Sequence, residues 1–201
     1  MTSPTRDAVV TVGAGPDALA QALATPAEWL WFVAERARPR EDALDLLLAA
    51  VEPEDAAPAT VLAGLLVDER GAPLERDLQA TPRLDAEAAV HLVRQCLLPI
   101  RSAGFAHCLV ARVEFDRHGL PDHRRFGPFA GEEWTGRVLR ESVGYLVAAS
   151  AVELPAQAER PDRGPSLLHL RAAMHMLPTG TWSRGDAVRA LRRAVTGLLP
   201  S

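Results

Sequence analysis

Apolar positions in this chain fall into short runs separated by breaks rich in glycine, proline and charge. Ala8-Val9-Val10-Thr11-Val12 is a β-branched run that stops at Gly13, and Pro16-Asp17-Ala18-Leu19-Ala20-Gln21-Ala22-Leu23 opens a helical pattern directly after it. Thr25-Pro26-Ala27-Glu28 has the form of a capping box, with Thr25 as N-cap, Pro26 at the first helical position and Glu28 three residues in. That signal predicts a helix over residues 29–38, with Trp29, Phe32 and Val33 turned inward. A second helical pattern over residues 41–51 aligns Leu44, Leu47 and Leu48, and residues 52–58 read as a loop.

The following apolar run, Val61-Leu62-Ala63-Gly64-Leu65-Leu66-Val67, has no polar interruption and predicts a central strand covered on both faces. It leads into Asp68-Glu69-Arg70-Gly71-Ala72-Pro73, a turn whose glycine can take a positive φ. A similar order recurs in Phe115-Asp116-Arg117-His118-Gly119-Leu120-Pro121, after alternating Leu109, Ala111, Val113 and Phe115, which predicts a half-exposed strand and a second hairpin. Helical stripes follow both: Ala89, Leu92, Val93, Cys96, Leu97 and Ile100 after the first, and Val138, Leu139, Ser142, Val143 and Leu146 after the second.

These patterns predict an α+β fold. An antiparallel sheet is built from two ββα units, about residues 59–102 and 107–149, with helices on one face and a helical N-terminal segment. Residues 1–153 form the core domain. Residues 154–166, with Pro155, Pro161, Gly164 and Pro165, form a linker or long loop, and residues 167–201 a C-terminal helical pair.

Composition narrows the chemistry. At 201 residues and 48% hydrophobic content the chain can bury a sizeable core. All 22 basic residues are arginine, and neither lysine nor asparagine occurs, which excludes a Walker phosphate loop, a lysine Schiff base and a Cys-His-Asn arrangement. Cys96 and Cys108 have no second pair to complete a zinc motif and read as buried thiols of a reducing compartment. The first residues carry no basic and apolar leader, and no stretch approaches the length of a membrane span, so the expected location is the cytoplasm, with no membrane partner. Residues 1–80 hold 14 acidic residues against 6 arginines, and residues 81–201 hold 12 against 16, so the net charge of −4 hides a polarity between halves. Such a balance suits a protein partner or self-association better than nucleic acid.

Val9-Val10-Thr11-Val12-Gly13-Ala14-Gly15-Pro16 resembles the opening of flavin- and nicotinamide-binding Rossmann domains and the first motif of class I methyltransferases that use S-adenosylmethionine. Gly13, Gly15 and Ala18 match the small positions of G-x-G-x-x-A. The resemblance implies a nucleotide at the helix start and an acid after a second strand, Glu35, on the ribose hydroxyls.

A different candidate is the group around the second turn. Asp116 and His118 would lie on one side of a strand with Asp122 and His123 returning opposite them, a set able to hold a divalent metal or work as an acid-base pair. The alternative for Asp116, as for Asp68, is that the carboxylate caps the turn by accepting from backbone amides. Ser142 and Ser150 lack the G-x-S-x-G context of a hydrolase nucleophile.

The leading expectation is a non-enzymatic module that binds or assembles with proteins and needs no cofactor. The alternatives are a nucleotide-cofactor enzyme at residues 13–18 and a metal-dependent hydrolase at the second hairpin. The two enzyme readings differ by a structural criterion: the nucleotide site requires residues 29–33 to be a strand lying parallel to residues 9–12.

Overall fold

A computed structural model describes residues 4–13, 16–53, 56–74, 97–155 and 174–176. Strand β1 (Val9–Val12) is followed by helix α1 (Pro16–Leu23) and then by β2 (Trp29–Val33). A two-residue strand β3 (Arg38–Pro39) precedes α2 (Ala43–Ala49), and β4 (Val61–Val67) follows. The chain continues with β5 (Leu97–Pro99), β6 (His107–Ala111), the short helices α3 (Val113–His118) and α4 (His123–Phe126), helix α5 (Ala130–Val138) and the long β7 (Gly144–Glu153).

The sheet is mixed, not antiparallel. Its order is β1-β2-β6-β4-β7-β3, with β5 on the free side of the first half of β7. β1 and β2 run parallel, as do β4 and β7, while β6 lies antiparallel to both β2 and β4. Alternation along the strands builds two cores. On one face Val12, Leu30, Phe32, Val61, Ala63, Cys108 and Val110 pack against Leu19 of α1, Phe115 of α3 and Trp134 of α5. On the other, Trp29, Leu62, Leu109, Tyr145 and Val147 pack against Leu47 and Leu48 of α2. Helices therefore cover both faces rather than one.

The expected helix over residues 29–38 is a strand in its first half. Thr25 starts nothing: its hydroxyl donates backwards to the Ala22 carbonyl at 2.7 Å and helps finish α1. Trp-Leu-Trp-Phe-Val is rich in strand-favouring residues and gains ladder partners on both sides, which outweighs one local capping signal. Arg112 completes the end of α1 by donating to the carbonyls of Leu23, at 2.7 Å, and Thr25. A cation there suits the negative end of the helix and fixes α1 against the corner after β6.

The two expected hairpins differ. At the first, Asp68 Oδ1 accepts from the amides of Arg70 and Ala72, both at 2.8 Å, Gly71 takes φ 78°, and Val67 bridges Pro73. The expected cap at Asp68 is present; residues 75–96, with most of the helical stripe after it, lie outside the described residues. The second is no hairpin, because β6 ends at Ala111 and residues 113–118 turn into α3. Phe115 thereby reaches both Trp134, stacked at 4.2 Å between ring centres, and Phe32, a burial that an exposed hairpin strand could not supply. β6 is buried along its whole length rather than half-exposed. The stripe expected after it divides: α5 ends at Val138, and Gly144 onward is β7. Likewise Leu97–Pro99, expected to close a helix, is β5. The expected C-terminal helical pair lies outside the described residues, apart from a helical turn at residues 174–176.

Among the described residues no helix is long and apolar enough to cross a membrane.

Candidate functional site

The parallel β1-α1-β2 unit at one edge of the sheet carries Gly13, Ala18 and Glu35 of the first candidate. Val12 pairs with Phe32, so β1 ends beside the last residues of β2, and Glu35 follows in the turn after β2. A β-carbon built on Gly13 would meet no atom within 4 Å, and Gly13 has no positive φ, so neither packing nor backbone conformation demands glycine there. Ala18 packs against the core with α1. Glu35 is exposed, as are Arg36, Arg38 and Arg40 beyond it, and Arg38 reaches Glu153 at 3.5 Å. Gly15 lies outside the described residues.

The four residues of the second candidate do not converge. Asp116 and His118 stand on α3, where two residues span about 200° around the axis, so they point apart instead of sharing a strand face. His118 turns to Glu114, 3.3 Å away on the same helix. Asp122 is spent as the N-cap of α4, accepting from the Arg125 amide at 2.9 Å, and His123 is exposed on that helix. Among the described residues no group of three or more His, Cys, Asp or Glu could hold a metal ion.

A polar network that no sequence motif announced starts from Trp31, in the strand that leads to Glu35. His107 pairs with Val33 at the end of β2 and is almost fully buried. Trp31 Nε1 donates to His107 Nδ1 at 3.2 Å; since an indole can only donate, Nδ1 must be the accepting nitrogen and the ring proton sits on Nε2. Nε2 then donates to Ser150 Oγ at 2.9 Å, and Ser150 Oγ donates to the carbonyl of Ala43 at 2.7 Å. Every donor in this chain has its acceptor. Burial holds the imidazole neutral by pushing its pKa down from 6.5 to about 4.

Two backbone features make room for the network. The β4–β7 register shifts between Gly64 and Leu65, with Gly64 opposite Val147 and Leu65 opposite Ala151. This bulge leaves Ala148 and Ala149 exposed and turns Ser150 into the interior. Gly64 faces the imidazole so closely that a β-carbon there would lie 2.0 Å from the ring. The neighbouring Cys108 is a buried free thiol whose pKa burial pushes up, which keeps it protonated and inert.

No protein-family model matches the chain, and neither does any curated protein. Among solved structures it is similar to the glycosyltransferase GalNAc-T7 crystallised with UDP, GalNAc and Mn2+, at a TM-score of 0.51 and 13% identity over 92% of this chain. The match spans 41% of that solved chain. The likeness is one of fold. It runs against the expectation of a non-enzymatic binding module, which drew partly on an exposed hairpin strand: among the described residues the second hairpin is replaced by α3, and the mixed sheet has the fold of that solved structure.

Proposed function

We propose that the chain is a glycosyltransferase-type domain whose donor, a sugar on uridine diphosphate or a similar nucleoside diphosphate, binds across the carboxyl ends of β1 and β2. The observation that carries this reading is the parallel pairing of Val9–Val12 with Trp29–Val33. In open α/β sheets ligands settle in the crevice outside the carboxyl ends of parallel strands. The fold likeness to an enzyme holding UDP supports the same ligand class.

In this reading Gly13, Gly15 and Ala18 form the small-residue turn that lets the backbone approach the diphosphate, consistent with the open space beside Gly13. Glu35 accepts hydrogen bonds from the ribose hydroxyls. During transfer an acceptor hydroxyl attacks the anomeric carbon as the bond from that carbon to the nucleoside diphosphate breaks; the diphosphate leaves with the electron pair, and the hydroxyl's proton passes to it. The exposed Arg36, Arg38 and Arg40 follow Glu35 directly in sequence and offset the charge of the leaving group.

Mn2+ accompanies UDP in the solved structure. The described residues of this chain do not fit such an ion: no ligand group converges among them, and the turn after β2 reads Ala34-Glu35-Arg36, one carboxylate beside a cation.

Thermal shift and titration calorimetry with UDP and UDP-sugars test the reading. Saturating ligand is expected to raise the melting temperature by about 5 °C or more, and Glu35→Ala to weaken UDP by about tenfold, or ~1.4 kcal/mol. A melting temperature that responds to NAD or S-adenosylmethionine and not to UDP would overturn it.

A further inference from the structure

We infer that His107 is a positioning residue that clamps both ends of the 34–42 loop, the segment that carries Glu35. The inference rests on the nucleotide-site reading for its functional meaning, and on geometry for the clamp itself.

The loop leaves β2 after Val33, two residues beyond Trp31, and enters α2 at Ala43. Trp31 is bonded to one nitrogen of His107, and Ala43 is reached from the other through Ser150. The ends of the loop are therefore joined by three consecutive hydrogen bonds across the interior. The backbone adds a fourth tie beside the first end, where the Ala34 amide donates to the Ala106 carbonyl at 2.8 Å. In the second half of the loop, Arg38 and Pro39 pair with the end of β7. What remains is a short projecting turn, residues 34–37, closed by the Ala37 amide on the Ala34 carbonyl at 2.9 Å, with Glu35 and Arg36 exposed on it.

A leucine or phenylalanine would fill the space of His107 without the cost of burying an imidazole. The chain instead holds a buried ring whose two nitrogens are both satisfied by fixed partners, opens Gly64 to admit it and bulges β7 to present Ser150 to it. Satisfied polar networks of this kind enforce one arrangement where apolar packing tolerates several. The arrangement enforced here is the distance and angle between the end of β2 and the start of α2, and so the pose of Glu35.

Ser150→Ala cuts the tie to α2 and leaves Trp31 bonded, Trp31→Phe cuts the tie to β2, and His107→Gln keeps an acceptor for Trp31 and a donor for Ser150. Amide hydrogen exchange and UDP calorimetry are measured on all three at a temperature where each remains folded. Ser150→Ala and Trp31→Phe are expected to speed exchange across residues 34–42 about tenfold, with central β4 and β6 amides unchanged, and to weaken UDP about tenfold. His107→Gln is expected to hold both quantities near the native values. Unchanged loop exchange in the two cutting variants would overturn the clamp, and a loosened loop with native UDP affinity would overturn its positioning role. If the native protein does not bind UDP, the donor reading fails, and the exchange measurement still decides the clamp.

Discussion

Gly64 and His107 occupy adjacent strands so closely that the imidazole fills the place a β-carbon on residue 64 would take, 2.0 Å from ring atoms. The ring cannot withdraw, because Trp31 and Ser150 hold its two nitrogens, and the Ser150 carbonyl stands 2.7 Å from the same point. Gly64→Ala must therefore displace backbone or break the network. We expect it to cost about 3 kcal/mol, lowering the melting temperature by roughly 10 °C. Differential scanning calorimetry checks this; a loss of a degree or two would mean that the ring moves freely.

The same burial makes the fold sensitive to acid. His107 titrates near 4 in the native protein against 6.5 when exposed, so between those values the unfolded chain binds a proton that the native chain does not. Stability from this residue is complete above pH 6.5 and is lost as pH falls towards 4, by about 3 kcal/mol in all. Protonation would also set a donor against the Trp31 indole N–H, removing that bond. Urea midpoints of the native protein and of His107→Gln, compared from pH 7.5 to 4.5, are expected to diverge, with the native protein losing more. Parallel curves would show that the histidine is not responsible.

Part of this arrangement can be read in the sequence. The β-branched run before Gly13, the helical pattern after it and the uninterrupted apolar run of β4 are each strong local signals, and all three form as their residues suggest. β2 was obscured because Thr25-Pro26-Ala27-Glu28 is a sound capping pattern whose outcome is decided elsewhere, by pairing with β1 and β6. The parallel β2 that the resemblance at residues 13–18 required is present. The second hairpin was obscured for a similar reason. The alternation from Leu109 to Phe115 fits a strand, but α3 lets Phe115 reach Phe32 and Trp134. Trp31, His107 and Ser150 are separated by 76 and 43 residues, and no periodicity links them. The trace they leave is Gly64, a glycine inside an otherwise solid apolar strand, which marks a close approach.

Glu114 supplies a prediction in the opposite direction. It is 1% exposed at the start of α3, and neither carboxylate oxygen has a hydrogen-bond partner. Its nearest polar neighbours are His118 Nε2, 3.3 Å away, and the exposed Arg117, 3.8 Å away. Burying a charge costs more than such contacts return when hydrogen bonds are missing, so an uncharged side chain of the same shape relieves the cost. Glu114→Gln is expected to leave the unfolding free energy within about 1 kcal/mol of native or to raise it. His118→Ala keeps the buried carboxylate and removes its closest partner, and is expected to destabilise by about 2 kcal/mol. The pair of variants separates this account from simple packing, since packing would penalise the loss of shape at residue 118 equally in either background. In Glu114→Gln/His118→Ala the penalty of the second substitution should shrink by more than half, and chemical denaturation of the four proteins in a double-mutant cycle measures it. Additive penalties would show that Glu114 and His118 do not interact.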